Sequence, residues 1–145
     1  MEWHPHVTVA TLVENDGKFL FVEEIKHGRK VLNQPAGHLE ENESLIEAAL
    51  RETLEETQWR VEILGVVGVG LYKAPANGVT YHRTSFFARP IAFCPEQKLD
   101  IDIEQAIWLT PDELRERRGQ LRSPLVLECL ERYLQGQRHP LSMIY

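Results

Sequence analysis

Seven carboxylates crowd into residues 40–56, and Arg51 is the one base among them. Like charges at helical spacing destabilise a helix unless water or a cation offsets them. The interior of this stretch is rich in Leu, Ala and Glu and holds no Gly or Pro. That composition predicts a helix running to about Thr57, with Asn42 as its cap. On such a helix Glu52, Glu55 and Glu56 stand at i, i+3 and i+4, within an arc of roughly 100°. Hard divalent cations favour oxygen-rich clusters of this kind. Leu45, Ala48 and Ala49 share the same sector one or two turns earlier, and Ile46, Leu50, Thr53 and Leu54 occupy much of the other side. Glu43, Glu47 and Arg51 fit a narrow strip between. The helix is therefore expected to pack on two sides, with its carboxylates partly buried and in need of a counter-ion. Taken alone, the same glutamates also suit a solvated helix with Arg51 as a local ion-pair partner.

The formal net charge of the 145-residue chain is -6, and residues 40–56 account for all of it, since the rest of the chain is neutral. That balance lacks the basic excess of a protein that binds nucleic-acid polymers. Length and a hydrophobic content of 43% suit one soluble domain over residues 1–145. Cys94 and Cys129 are far apart and in no metal-binding spacing, so free thiols in a reducing compartment are expected. No apolar run approaches the ~20 residues that span a bilayer, and the first residues lack a basic, apolar leader. A cytoplasmic protein without a membrane partner is the expectation.

Residues 6–13 carry apolar positions at Val7, Val9, Leu12 and Val13, and residues 19–24 read as a second strand. Asn15-Asp16-Gly17 between them predicts a β-hairpin. Residues 26–30 read as a polar loop, and Val31-Leu32-Asn33 as a short extended piece. Two long β-like runs, residues 61–72 and 79–92, flank a turn at Pro75-Ala76-Asn77-Gly78. Residues 106–109 form a further short strand. Thr110-Pro111 and Ser123-Pro124 open two more helices, and Gly136 ends the second. Strands interleaved with helices predict an α/β protein with a mixed sheet covered by helices.

One spacing sharpens this picture. Gly37, Glu43, Arg51-Glu52 and Glu55-Glu56 are separated by five, seven and two residues. Those six positions would recur by chance on the order of once in 10⁵ chains of this length. The pattern resembles the Nudix box, here residues 37–59. Thr53 stands where an aliphatic residue is usual, and Gln58 where glycine is usual. A left-handed residue at the helix end would cost a non-glycine about 1 kcal/mol. Stretches outside the box, among them His4-Pro5-His6-Val7-Thr8-Val9-Ala10, Asn33-Gln34-Pro35-Ala36-Gly37-His38-Leu39-Glu40 and Leu121-Arg122-Ser123-Pro124-Leu125, resemble the NudJ-type phosphatase branch of that family.

The resemblance implies a Nudix fold: a mixed sheet in an α/β/α sandwich, with the box as loop–helix–loop. It implies a Mg²⁺ cofactor, replaceable by Mn²⁺, held by Glu52, Glu55, Glu56 and the carbonyl of Gly37. Glu104 is the candidate extra ligand or base, with Asp102 a weaker one. Glu52 is the first choice for general base, since it stands apart from the adjacent pair, and Glu55 shares the catalytic cluster. Arg51 would orient a catalytic carboxylate or fix the loop to the helix through Glu43. His38, Arg29, Lys73 and Arg83 are candidate substrate contacts. Tyr72, Tyr81 and Phe87 could stack on a ring, though strand aromatics are usually core. The implied activity is hydrolysis of small di- and triphosphates with release of inorganic phosphate. Substrates in range are nucleoside phosphates, hydroxymethylpyrimidine diphosphate and thiamine diphosphate-like molecules. A monomer or weak homodimer is expected. The alternatives are an ADP-ribose or nucleotide-sugar pyrophosphatase, told apart by its products, and a non-catalytic Nudix binding module, told apart by lost box carboxylates.

Overall fold

Asp16 and Gly17 adopt positive φ angles of 51° and 77°, which makes the tight two-residue turn that Asn15-Asp16-Gly17 predicts. In the computed structural model, which describes residues 2–145, this turn joins β1 (His6–Asn15) to β2 (Lys18–Lys26). Only Glu14↔Phe19 and Asn15↔Lys18 pair before the two strands part. β2 then takes β3 (Arg29–Asn33) and β7 (Ile103–Leu109) as antiparallel neighbours. β1 lies antiparallel to the short β4 (Ala36–His38) and parallel to β6 (Thr80–Phe93). β6 pairs along its length with β5 (Trp59–Lys73), whose far edge meets β8 (His139–Pro140) at Gly65 and Val66. The main order is β3-β2-β1-β6-β5-β8, with β4 and β7 branching off it.

Helices cover both faces of this mixed sheet. Val9, Val13 and Leu20 point to a core with Ala48 and Ala49 of α1 (Leu45–Thr57). Leu12, Phe19 and Phe21 point the other way, onto Leu114 of α2 (Pro111–Glu116) and Val126 and Leu130 of α3 (Pro124–Leu134). Successive strand residues face opposite sides, so strands buried on both faces read as continuous apolar runs. That is why residues 8–13 and 19–22 are buried without interruption. The result is the expected α/β/α sandwich.

Four local expectations need correction. Residues 26–30 are not a loop: His27 and Gly28, with φ of 52° and 76°, form a second two-residue turn between β2 and β3. The helix cap is Ser44 rather than Asn42, which sits at φ 65° in the preceding turn. Leu50 is exposed, so the second apolar side of α1 is narrower than its composition suggested. The last long strand begins at Ile103, which takes Glu104 out of the loop and into β7. Thr110 and Ser123 cap α2 and α3 as expected, and Gly136, at φ 94°, follows the end of α3.

Candidate functional site

The N-terminal turn of α1 is built from neighbours in sequence. The Ser44 hydroxyl accepts from the Glu47 amide at 3.0 Å, and the Glu47 carboxylate accepts from the Ser44 amide at 2.8 Å, a reciprocal capping box. Two turns later, Arg51 reaches back over this cap. Its Nε and Nη2 donate to the two Glu43 oxygens at 2.6 and 2.9 Å, and Nη2 also donates to the His38 carbonyl at 3.1 Å. Its Nη1 donates to Glu52 at 2.7 Å and, more weakly, to Glu55 at 3.4 Å. One guanidinium thus ties the loop after β4 to the helix and sets the direction of two carboxylates. The pairing with Arg51 holds Glu43 below the usual carboxylate range and raises the pKa of Arg51 above its ordinary value.

Glu52 and Glu56 turn toward β4. A Cβ at Gly37 would land on the Glu52 carboxyl group, so only glycine permits this approach. The Ala36 amide donates to Glu56 Oε1 at 2.9 Å. Burial is the largest influence on both acids. It raises Glu52, against the opposing pull of Arg51, and pushes Glu56 up to about 9, against the Ala36 hydrogen bond.

Carboxylate oxygens of Glu52, Glu55 and Asp100 all lie within 4.8 Å of one another, close enough to share one cation. Asp100 comes from the loop between β6 and β7, where its amide donates to the Glu55 carbonyl at 3.0 Å. Burial raises its pKa as well. Gln58 secures this loop. It sits at φ 65°, in the left-handed conformation the box reserves for glycine. Its side chain donates to the carbonyls of Gln97 at 2.6 Å and Pro95 at 3.4 Å, and its own carbonyl accepts from the Cys94 amide at 2.7 Å. Thr53, the other departure from the box, is fully buried and satisfies its hydroxyl on the Ala49 carbonyl at 2.7 Å.

Gly37, His38, Glu52, Glu56 and Asp100 line a cleft of about 750 Å³. Tyr72, Pro75 and Tyr81, from the β5–β6 hairpin, and Leu125 line it too. Arg83 and Arg122 also line it. His38 packs edge-on to Tyr81 and lies 3.2 Å from His6, and burial lowers its pKa.

The remaining sequence candidates fall elsewhere. Between β2 and β7 the register jumps at Glu23/Glu24 from Gln105 to Ile103, which leaves Glu104 as the extra residue of a bulge. Its carboxylate lies 3.8 Å from Lys30 and is not part of the converging set. Asp102 lines the cleft but does not join that set either. Arg29 and Lys73 are exposed strand-end residues outside the cleft lining. Phe87 packs against the core beside Tyr133. Asp100 was missed because it is one of three acids in the stretch Asp100-Ile101-Asp102-Ile103-Glu104, and nothing local distinguishes it.

Comparison with known proteins places this arrangement. A family model described as NUDIX domain matches residues 3–129. The chain is 43% identical over 140 residues to Phosphatase NudJ of Escherichia coli K12, covering 97% of this chain and 90% of that protein. A NUDIX hydrolase from Nitrosomonas europaea is 43% identical and superposes with a TM-score of 0.95, covering 98% and 97% of the two chains. An ADP-ribose pyrophosphatase from Streptococcus suis shares the fold at 19% identity, with a TM-score of 0.67 over 88% of this chain and 91% of that one.

Proposed function

The chain belongs to the NUDIX domain family and is a phosphohydrolase, and from that premise we propose that it is a Mg²⁺-dependent enzyme that cleaves P–O–P bonds of small di- and triphosphates and releases inorganic phosphate. The observation that carries this reading is the convergence of Glu52, Glu55 and Asp100. Three hard oxygen donors around one point suit Mg²⁺, with Mn²⁺ as a substitute. The Gly37 carbonyl and Glu56, which line the same cleft as Glu52, complete the proposed donor set. Glu56 would have to lose its proton to join it. When bound, the cation offsets charge on the phosphate oxygens and makes water more acidic.

The chain's own groups do the rest. Glu52 is the proposed general base. Burial raises its pKa toward the working range, and Arg51 occupies its Oε1, leaving the other oxygen to accept the proton of an attacking water. Arg51 is a positioning residue for Glu52 and Glu55, and Glu43 anchors it in turn. His38 and Arg83 face the cleft as substrate contacts. Tyr72 and Tyr81, directly opposed across β5 and β6, offer a stacking surface for a pyrimidine or purine ring. That surface supports nucleoside di- and triphosphates, hydroxymethylpyrimidine diphosphate and thiamine diphosphate-like molecules as substrates. The name of the NudJ relative, a phosphatase, supports inorganic phosphate as the product. The enzyme is read as one Nudix domain over residues 1–145, monomeric or weakly dimeric. Its two free thiols support a reducing, cytoplasmic setting.

Phosphate release from a panel of diphosphates, with Mg²⁺ and after chelation, tests this for the wild type and Glu55→Gln. Release should vanish on chelation and fall at least about 100-fold in the variant. Full activity in either case overturns the mechanism. Appearance of AMP and a sugar phosphate, without inorganic phosphate, would move the enzyme to the pyrophosphatase reading.

A further inference from the structure

Among the described residues four charged side chains are deeply buried: Glu23, Glu24, Glu56 and Arg83. Three of them are answered. Glu23 is paired with Arg117 at 3.7 Å and accepts from Gln105. Glu24 accepts from Arg122 at 2.7 Å. Glu56 accepts from the Ala36 amide at 2.9 Å. Arg83 keeps its charge, because a guanidinium does not deprotonate in a protein.

Arg83 is 8% exposed, and its side-chain hydrogen bonds all go to neutral groups. Both of its Nη atoms lie 3.3 Å from Asn33 Oδ1, and Nη2 donates to Gln34 Oε1 at 2.6 Å. Gln34 is itself held by a hydrogen bond to the Val126 carbonyl at 2.8 Å. The buried Nε has no partner. Burial weighs most against this charge, Arg122 repels it, and Glu24 attracts it only through space. Two amides therefore fix the guanidinium without cancelling it. A carboxylate in the same place would have neutralised the charge and repelled an anion.

The location is equally specific. Arg83 lines the cleft that holds Glu52, Glu56 and Asp100. It also lines a second cavity of about 260 Å³ between β5 and α3, walled by Gly68, Gly70, Ser85 and Cys129. It stands on the partition between the two. A buried cation without a counter-charge is costly, and it is retained most readily where a ligand supplies the missing anion.

We propose that Arg83 is the anion-binding residue at the floor of the cleft, and that its ligand is a non-bridging phosphate oxygen of the di- or triphosphate substrate. This rests on the phosphohydrolase reading above and deepens it. The carboxylate cluster takes substrate through a cation, and Arg83 takes it directly. The preferred substrate then carries an anionic phosphate that meets Arg83 as well as one beside the carboxylate cluster.

Binding of methylene diphosphonate, measured by calorimetry with Mg²⁺ on wild type and Arg83→Met, tests the assignment. Loss of a charge-assisted hydrogen bond should weaken binding about 10- to 100-fold. Wild-type affinity in Arg83→Met overturns the proposal. If the variant fails to fold, the ¹⁵N-labelled Arg83 Nε–H resonance of the wild type decides instead. It should shift on addition of Mg²⁺ and methylene diphosphonate, and an unmoved resonance overturns the proposal. A wild type that neither releases phosphate nor binds the diphosphonate would sink the hydrolase reading itself, which separates that failure from this one.

Discussion

The two ends of α1 carry the same site but are held in opposite ways. At the N-terminal end every partner is close in sequence. Ser44 and Glu47 cap each other, and Arg51 closes on Glu43 eight residues before it. At the C-terminal end the partners come from a distant loop. Gln58 grips the carbonyls of Pro95 and Gln97, and the Asp100 amide docks on the Glu55 carbonyl. The first end orients carboxylates that the helix already owns. The second end brings in one that the helix cannot supply. A short motif can thus specify most of a cation site and still depend on tertiary structure to complete it.

The largest test of that contrast is the imported carboxylate. Asp100→Asn should lower kcat/KM at limiting Mg²⁺ by about 100-fold, whereas Glu104→Gln, paired with Lys30, should stay within about twofold. The reverse ranking would assign the third carboxylate to the wrong acid. At the other end, Arg51→Met should reduce kcat by about 10- to 100-fold, because Glu52 and Glu55 lose the group that aims them. Arg51→Lys should recover only part, since an ammonium cannot fork onto Glu43. Equal kcat in the three proteins would make the hub dispensable.

The pH dependence of stability probes the C-terminal end without activity. The folded-state pKa of Glu56 lies above its ordinary value, at about 9, so neutral Glu56 favours the fold. That contribution is full below about pH 4.5 and is lost as pH rises toward 9. Thermal midpoints of chelated protein should therefore fall across this window. Glu56→Gln, which still accepts from Ala36, should flatten the decline, and a slope as steep as wild type would contradict the assignment.

The smallest effects compare the caps themselves. Ser44→Ala should cost about 1 kcal/mol of stability and leave kcat/KM within about twofold. Gln58→Gly relieves about 1 kcal/mol of left-handed strain but gives up two hydrogen bonds of about 1 kcal/mol each. Its net stability change should be within about 1 kcal/mol, while activity drops a few-fold as the Asp100 loop loosens. Denaturation midpoints beside kinetics would show it. A Gln58→Gly enzyme with unchanged kinetics would mean that the loop holds Asp100 unaided.

By itself the sequence determined what local geometry controls. An α-helix repeats every 3.6 residues, so Glu52, Glu55 and Arg51 had to be neighbours. The Asn15-Asp16-Gly17 turn and the capped starts of α2 and α3 are also short-range, and they were legible for the same reason. The box pattern also marks Gly37, but only the structure shows Glu52 to be the group pressed against it. Tertiary structure alone decided the rest. A bulge between β2 and β7 moves Glu104 away from the cluster, and the loop docked on α1 brings Asp100 in. The sheet buries Arg83 against two amides rather than an acid. Residues distant along the chain meet only when strands pair and helices pack. Burial, which sets the protonation of Glu56 and the cost of the Arg83 charge, is a property of that packing and not of any segment.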